Sequence, residues 1–586
     1  MYSFIPLLIG GISIPVSIYR KNFALSMMAA ASIILAALVF RPGDLITYFA
    51  FIGSGVFLAS SIYSIRYSDS HGRWLTPLFL FTVEGMMIIL TSRNYLELIA
   101  GWEVMSVPAY ATVALNRSEN YPSFVFMLFS EISTFFLVLA AILSYFSTGG
   151  TSLAFVNAGP LVLFLLSLGA MTKMGITPFM ISEWLPIAHG NAPANSSAIF
   201  SAGMTLMGVF IIFRLAVVTT PYLPLGLLFM AIGAISVMFA ALFAYVSENM
   251  KMLGGFSTIE NNGAILTALG LYIALPASLQ VLKEFSLIVV VIFSLAHSVA
   301  KTGLFMYIGE TGSEYFSEIV ERKNTLSTGG GILIAMSLSG LFPTIGGVAT
   351  WMLLESLFMG AYTGGIIGIA SIAAGVVIAI GEGLASGVMM KVISFTQAFR
   401  KKGANSDRFL STSVLGVGVA LVGLMAVSTL FVPSAFLTGN PSVLVFNGLT
   451  IMSSLGNGTF GVVSPIYILG LIVIFTAISY AVFGKANGRM VRRWNGGIST
   501  ESSYNSSTYS NNMRMMLRKI LRTSYSGEKH QMSITDVFWY SMISATRLYR
   551  KASKAITMGL MNSSIGWYMI YMIVGFMVIL IIATIG

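Results

Sequence analysis

Apolar residues recur along this chain in runs of about twenty, each long enough to cross the roughly 30 Å apolar layer of a bilayer as a helix. The first two run from Tyr2 to Tyr19 and from Phe23 to Phe40, and the last from Trp567 to Ile585. Counting such runs predicts about sixteen transmembrane helices. The first run lacks the short apolar core and small-residue cleavage site of a signal peptide, so it reads as a retained helix. Polar stretches between runs are short until residue 485, and no separate soluble domain is expected.

Two runs look interrupted. Pro178 and Pro186 break the stretch from Met171 to Pro193, and SGLFPTIGG at 339–347 places Pro343 among Gly340, Gly346 and Gly347. Helices unwound at mid-membrane depth in matching positions of two halves mark inverted-repeat transporters, whose ion sites lie at the breaks. The pattern predicts an all-α polytopic membrane protein with two inverted five-helix repeats containing broken helices. N-terminal helices occupy 1–74, the repeats 75–222 and 223–403, and additional helices 404–484. A basic segment with a lateral amphipathic helix covers 485–565, and a terminal helix 566–586.

Composition agrees, with 56% hydrophobic and 9% charged residues. Charge then supplies orientation. Between Lys485 and Lys554 stand thirteen Lys/Arg against Glu501, Glu528 and Asp536. Positive loops stay inside, which places the 485–565 segment in the cytoplasm and both termini outside. Membrane-flanking charge also accounts for this basic stretch without any nucleic-acid partner. The chain has no cysteine, which excludes a cysteine-ligated iron–sulfur cluster, and its four histidines argue against a haem-binding bundle. Redox chemistry therefore belongs to other subunits.

Two apolar runs carry a lysine well inside them, Lys173 in LVLFLLSLGAMTKMGITPFM and Lys301 in LIVVVIFSLAHSVAKTGLFMYI. An ammonium at that depth costs several kcal/mol on insertion scales and is retained where it pairs, meets water or moves charge. Ion translocation is the first hypothesis.

The segment LELIAGWEVMSVPAYATVAL, with Gly101-Trp102-Glu103 at its centre, resembles the fifth span of the antiporter-like subunits of respiratory complex I. GAMTKMGITPFMISEWLPIAHGNAPANSSAIFSAG is similar to their seventh and eighth spans. WLPIAH, FSTIEN at 256–261, HSVAK at 297–301, GVMMKVISF around Lys391, and STYSNNMRMMLRKIL in the tail resemble the large membrane subunit of formate hydrogenlyase and hydrogenase 4. The resemblance covers most of residues 75–586. It implies a proton- or sodium-translocating subunit of a membrane-bound redox complex in a prokaryotic cell membrane. Other membrane and peripheral subunits would hold any iron–sulfur, nickel–iron, flavin or quinone group, and this chain no cofactor. In the relay so implied, Glu103 lowers the cost of keeping Lys173 charged, and protons pass by His297 and Lys301 to an outward exit near Lys391. Three positions depart from the family pattern. Leu206 stands where the eighth span often has a lysine, Thr350 where the twelfth has an acid or lysine, and Glu131 where a histidine is common. Glu355 projects about 140° from Thr350 on a straight helix and could replace the missing group only if the break at Pro343 rotates it inward. Glu84 is a further membrane carboxylate without a counterpart. Two alternatives stay open: a subunit of a multisubunit cation/proton antiporter, or a structural membrane subunit with a degenerate pump.

Overall fold

The computed structural model describes residues 4–577 except 116–119, 151, 153–158, 177–183, 219–220, 319, 322–324, 398–400, 403–406, 439–448, 456–457, 485–505, 518–523, 527–530, 534–536, 561–568, 571 and 575–576. The chain is an all-helical, multi-pass membrane protein. Among the described residues, nine helices are long and apolar enough to span a bilayer, and five more apolar helices are shorter. The difference from sixteen comes partly from interrupted spans, which appear as pairs of short helices.

In chain order the helices are α1 (Phe4–Ser17), α2 (Lys21–Val39), α3 (Thr47–Tyr67), α4 (Leu75–Thr91), α5 (Tyr95–Ala114) and α6 (Tyr121–Thr148). Then come α7 (Pro160–Lys173), α8 (Trp184–Asn191), α9 (Ala194–Ile199), α10 (Thr205–Val218), α11 (Leu223–Val246) and α12 (Met250–Ala274). The second half holds α13 (Gln280–Thr311), α14 (Thr325–Leu338), α15 (Ile345–Ala361), α16 (Gly365–Gln397), α17 (Arg408–Ala426) and α18 (Pro465–Phe483). In the tail lie α19 (Ser506–Met516) and a helix over Val537–Leu560. Between α17 and α18 the chain forms a small antiparallel sheet whose main strands are Thr450–Leu455 and Gly458–Val463, an element that apolar periodicity does not announce.

With lipid as solvent, helix association depends on close packing and not on apolar burial, so small residues bring backbones together. α11 and α12 illustrate this: a Cβ on Gly226 would sit 2.6 Å from the Gly270 carbonyl oxygen, and one on Gly263 would sit 2.6 Å from that of Gly233. Such contact locks α12, most of whose length is buried, against α11.

The interruptions fall close to where proline and glycine predict them. α7 ends at Lys173, and α14 and α15 flank a turn at 339–344. Pro178 lies outside the described residues, while Pro186 sits inside α8. A third irregularity was not foreseen: a π-helical turn over Phe200–Met204 separates α9 from α10, and such turns cluster at functional sites.

Candidate functional site

Lys173 is the last residue of a half-helix. Gly175 takes a left-handed conformation, φ 75°, and Ile176 N and Gly175 N donate to Met171 O and Thr172 O at 2.8 and 3.2 Å. These two bonds close the helix in a Schellman motif. Carbonyls that the break would leave unmatched find side chains: Trp184 Nε1 donates to Thr172 O at 3.1 Å and Asn262 Nδ2 to Met174 O at 2.8 Å. The partial negative charge of a helix C-terminus favours an ammonium in the last turn.

The Lys173 side chain is 1% exposed. Its Nζ donates to Ser106 Oγ on α5 at 2.8 Å and Ser130 Oγ on α6 at 3.0 Å, and lies 5.6 Å from the Trp102 ring centroid. Trp102 is itself fixed, its Nε1 donating to Ser133 Oγ, which donates on to Gly169 O. Glu103 is half-buried and accepts from Thr134 Oγ1 at 2.5 Å. Glu131 is on the exposed face of α6. Both carboxylates lie within electrostatic reach of Lys173, but among the described residues no ion pair joins it to either. The expected Glu103–Lys173 pair is thus one layer looser than foreseen, with serine hydroxyls holding the ammonium.

Lys301, 0% exposed, stands in the middle of α13, and its Nζ approaches Gly254 O on α12 at 3.4 Å. His297 lies one turn away beside the Ser201 backbone of the π-helical turn. His189, buried on α8, stacks on Phe305 with centroids 4.5 Å apart. Glu260 on α12 interacts electrostatically with Lys301 and with Glu382 on α16, and Glu382 accepts from Thr350 Oγ1 at 3.4 Å. Between the two lysines run Asn262, bonded to the end of α7, and the Ser201–Thr258 hydroxyl pair at 2.6 Å. Leu206 is buried. This concentration of buried polar atoms suits proton transfer through ordered water.

One end of the bundle opens into a polar cavity of about 570 Å³ lined by Asp69, His71, Lys251, Glu314 and Asp407. At its floor Lys251 Nζ donates to Ala192 O and Glu314 Oε1, both at 2.9 Å. Lys391 lies near the α11–α12 turn at this same end, donating to Ser247 O at 2.8 Å, Tyr245 O at 3.1 Å and Glu248 at 3.3 Å. Arg514 of α19 donates to the same Glu248 oxygen at 2.7 Å. Lys391 therefore sits at the end that carries the basic tail, which is the wrong end for an outward exit if that tail is cytoplasmic. Glu355 is not brought to Lys301. It accepts from Ser453 Oγ at 2.6 Å and packs on Gly461 of the small sheet.

His189, Glu260 and Glu382 were not singled out as site residues from the sequence. The first two stand in quoted motifs, WLPIAH and FSTIEN, and Glu382 interrupts the apolar run IAIGEGLASG, the same signal that marked the lysines. Among the described residues no cluster of three or more His, Cys, Asp or Glu could hold a metal ion.

Residues 92–379 match the family described as NADH:quinone oxidoreductase/Mrp antiporter, transmembrane. The chain is 27% identical over 347 residues to hydrogenase-4 component B of Escherichia coli, a match covering 55% of this chain and 51% of that protein. It is 25% identical over 342 residues to NADH-quinone oxidoreductase subunit N of Cupriavidus taiwanensis, covering 54% of this chain and 68% of that one. The chain thus spans about half the length of the hydrogenase component. In fold it is similar to a chain of the membrane-bound sulfane sulfur reductase, an archaeal respiratory membrane complex, with TM-score 0.75 and 15% identity over 98% of this chain and 99% of that one.

Proposed function

We propose, from the premise that residues 92–379 belong to the NADH:quinone oxidoreductase/Mrp antiporter transmembrane family, that this chain is the proton-translocating, antiporter-like subunit of a membrane-bound redox complex. Partner subunits of hydrogenase-like or complex I-like type carry the electrons and every redox cofactor, and the basic tail faces the cytoplasm. The observation that carries the reading is Lys173: a fully buried ammonium at the end of a broken helix, bonded to two hydroxyls with Glu103 and Glu131 one layer away. Moving charge near those carboxylates changes the cost of the ammonium, which is the elementary step of a pump. A buried lysine in 75–222 and another in 223–403 are what two repeats of one design would each supply. The polar cavity floored by Lys251 supplies access from the tail's side.

The test is ion flux into vesicles holding the purified parent complex, with and without sodium. Lys173→Ala and Glu103→Ala are expected to abolish or strongly reduce proton uptake while the complex still assembles, and Lys301→Ala to do the same. Wild-type pumping in both Lys173→Ala and Glu103→Ala overturns the assignment. Strict dependence on sodium would transfer it from protons to sodium. A second reading, a subunit of a multisubunit cation/proton antiporter without redox partners, draws on the breadth of the family, which includes Mrp antiporters. Isolation of the chain with small antiporter subunits and no redox protein would decide for it.

A further inference from the structure

The second half of the membrane domain has a buried lysine, and the acid on the helix that follows its break does not serve it. α15 offers Thr350 and Glu355. Glu355 is turned to Ser453 of the small sheet, and Thr350 carries only a hydroxyl. That hydroxyl donates to Glu382 Oε2 on α16 at 3.4 Å. The turn before α15 is pinned to the same stretch of α16: Ser386 Oγ donates to Ser339 O at 3.3 Å, and Gly340, at φ 63°, packs against Thr350. On α12, which packs against α16, stands Glu260, 2% exposed, with an Oε2 that has no hydrogen-bond partner among the described residues. Glu260 is within electrostatic reach of both Glu382 and Lys301.

Where two buried carboxyls and one ammonium share a low dielectric, one negative charge suffices to balance the ammonium, and a second would stand uncompensated. The three groups then hold zero net charge in two arrangements. One has an ammonium, a carboxylate and a carboxyl, and the other an amine and two carboxyls. They differ only in the position of one proton. Charge states of equal net charge spare the buried site an uncompensated ion as the proton moves.

We propose that Glu260 and Glu382 form an acid pair that takes the proton from Lys301, with the Thr350 hydroxyl positioning Glu382. In the step, the Lys301 N–H bond breaks, its proton forms an O–H bond on whichever carboxylate of the pair is ionised, and a neutral amine remains. The proton leaves the pair from Glu382, the partly exposed member, and Lys301 is reprotonated from the His297 side. The inference rests on the translocation reading above. It goes further by making α16, and not α15, the helix that supplies the acid.

The experiment uses the intact complex in vesicles, with proton uptake and infrared difference spectra recorded side by side. Glu382→Gln is expected to reduce uptake by about a hundredfold or more, the lower range for loss of a proton-transfer group. It should also remove one protonated-carboxyl C=O band. Glu382→Asp should restore both in part, and Glu355→Gln should pump as wild type. Wild-type uptake in Glu382→Gln alongside an inactive Lys173→Ala overturns the acid pair and leaves the translocation reading standing. Wild-type uptake in Lys173→Ala overturns that reading itself. Should Glu382→Gln fail to assemble, Thr350→Val supplies the test: an unshifted carboxyl band and unchanged uptake overturn the proposal, and a shifted band with reduced uptake supports it.

Discussion

Arg514→Ala isolates what holds the basic tail to the bundle. Arg514 is 2% exposed, and its guanidinium donates to Val246 O at 2.6 Å and Glu248 Oε1 at 2.7 Å. Around it, α19 adds the Tyr509 ring stacked on Tyr245 at 5.5 Å and the Tyr509 hydroxyl donating to Gly387 O at 3.1 Å. Removing one partner of a buried charged pair costs about 3–5 kcal/mol. Glu248 keeps Lys391 and Ser506 as partners, so the lower figure of about 3 kcal/mol applies, which is roughly a hundredfold in the undocked population. The absence of native cysteine gives a clean readout. Ser510 is 0% exposed in the docked helix, so Ser510→Cys should react slowly with a maleimide in membranes. Adding Arg514→Ala should speed that reaction by roughly a hundredfold, whereas Tyr509→Phe, which loses one neutral hydrogen bond of about 1 kcal/mol, should speed it only about fivefold. Equal protection with and without Arg514 would show that α19 is not held by its charge, and a larger effect of Tyr509→Phe would assign docking to the tyrosine pair.

Two further predictions concern the periphery. A Cβ on Gly10 would run into the Glu84 carboxyl group, which packs on α1. Gly10→Ala should therefore cost about 1–3 kcal/mol by overpacking and lower the unfolding midpoint in detergent. The Gly10→Ala, Glu84→Ala double variant should be more stable than the sum of the single effects, and strict additivity would refute the contact. Truncation after Trp494 should leave the preceding spans inserted, remove Arg514 from Glu248, and weaken attachment to the parent complex. Full retention of the truncated chain through purification would show that the tail is dispensable for docking.

The depth of Lys173 and Lys301 was legible because a charge inside an apolar run has no ordinary explanation in a bilayer. The breaks were legible because proline and glycine punctuate helices wherever they occur. The groups that hold the lysines were not. Ser106 and Ser130 are bonded to Lys173 from 67 and 43 residues away, and hydroxyls are too common in apolar helices to stand out. Glu355 shows the complementary limit. The 140° offset from Thr350 was computable, but the partner that occupies Glu355 arrives 98 residues later, on a strand with no membrane periodicity. Glu382 carries a usable signal in IAIGEGLASG, but on a helix other than the one that bears the break. The lateral segment 485–565 shows a further limit: Arg514 of α19 meets a carboxylate 266 residues earlier.

The two lysines solve one electrostatic problem in different ways, and the difference follows from where each helix stops. α7 ends at Lys173, so the partial negative charge of the helix C-terminus already favours the ammonium, and neutral hydroxyls suffice as its direct partners. Glu103 and Glu131 can then sit a layer away, open to a neighbour whose charge could shift the balance. α13 runs unbroken through Lys301 for 32 residues, its carbonyls committed to its own ladder. It contributes no free dipole at that depth. Compensation must come across helices, from the Gly254 carbonyl and from Glu260. The first site thus rests on backbone geometry, and the second on a titratable acid whose own protonation has to change with the lysine's.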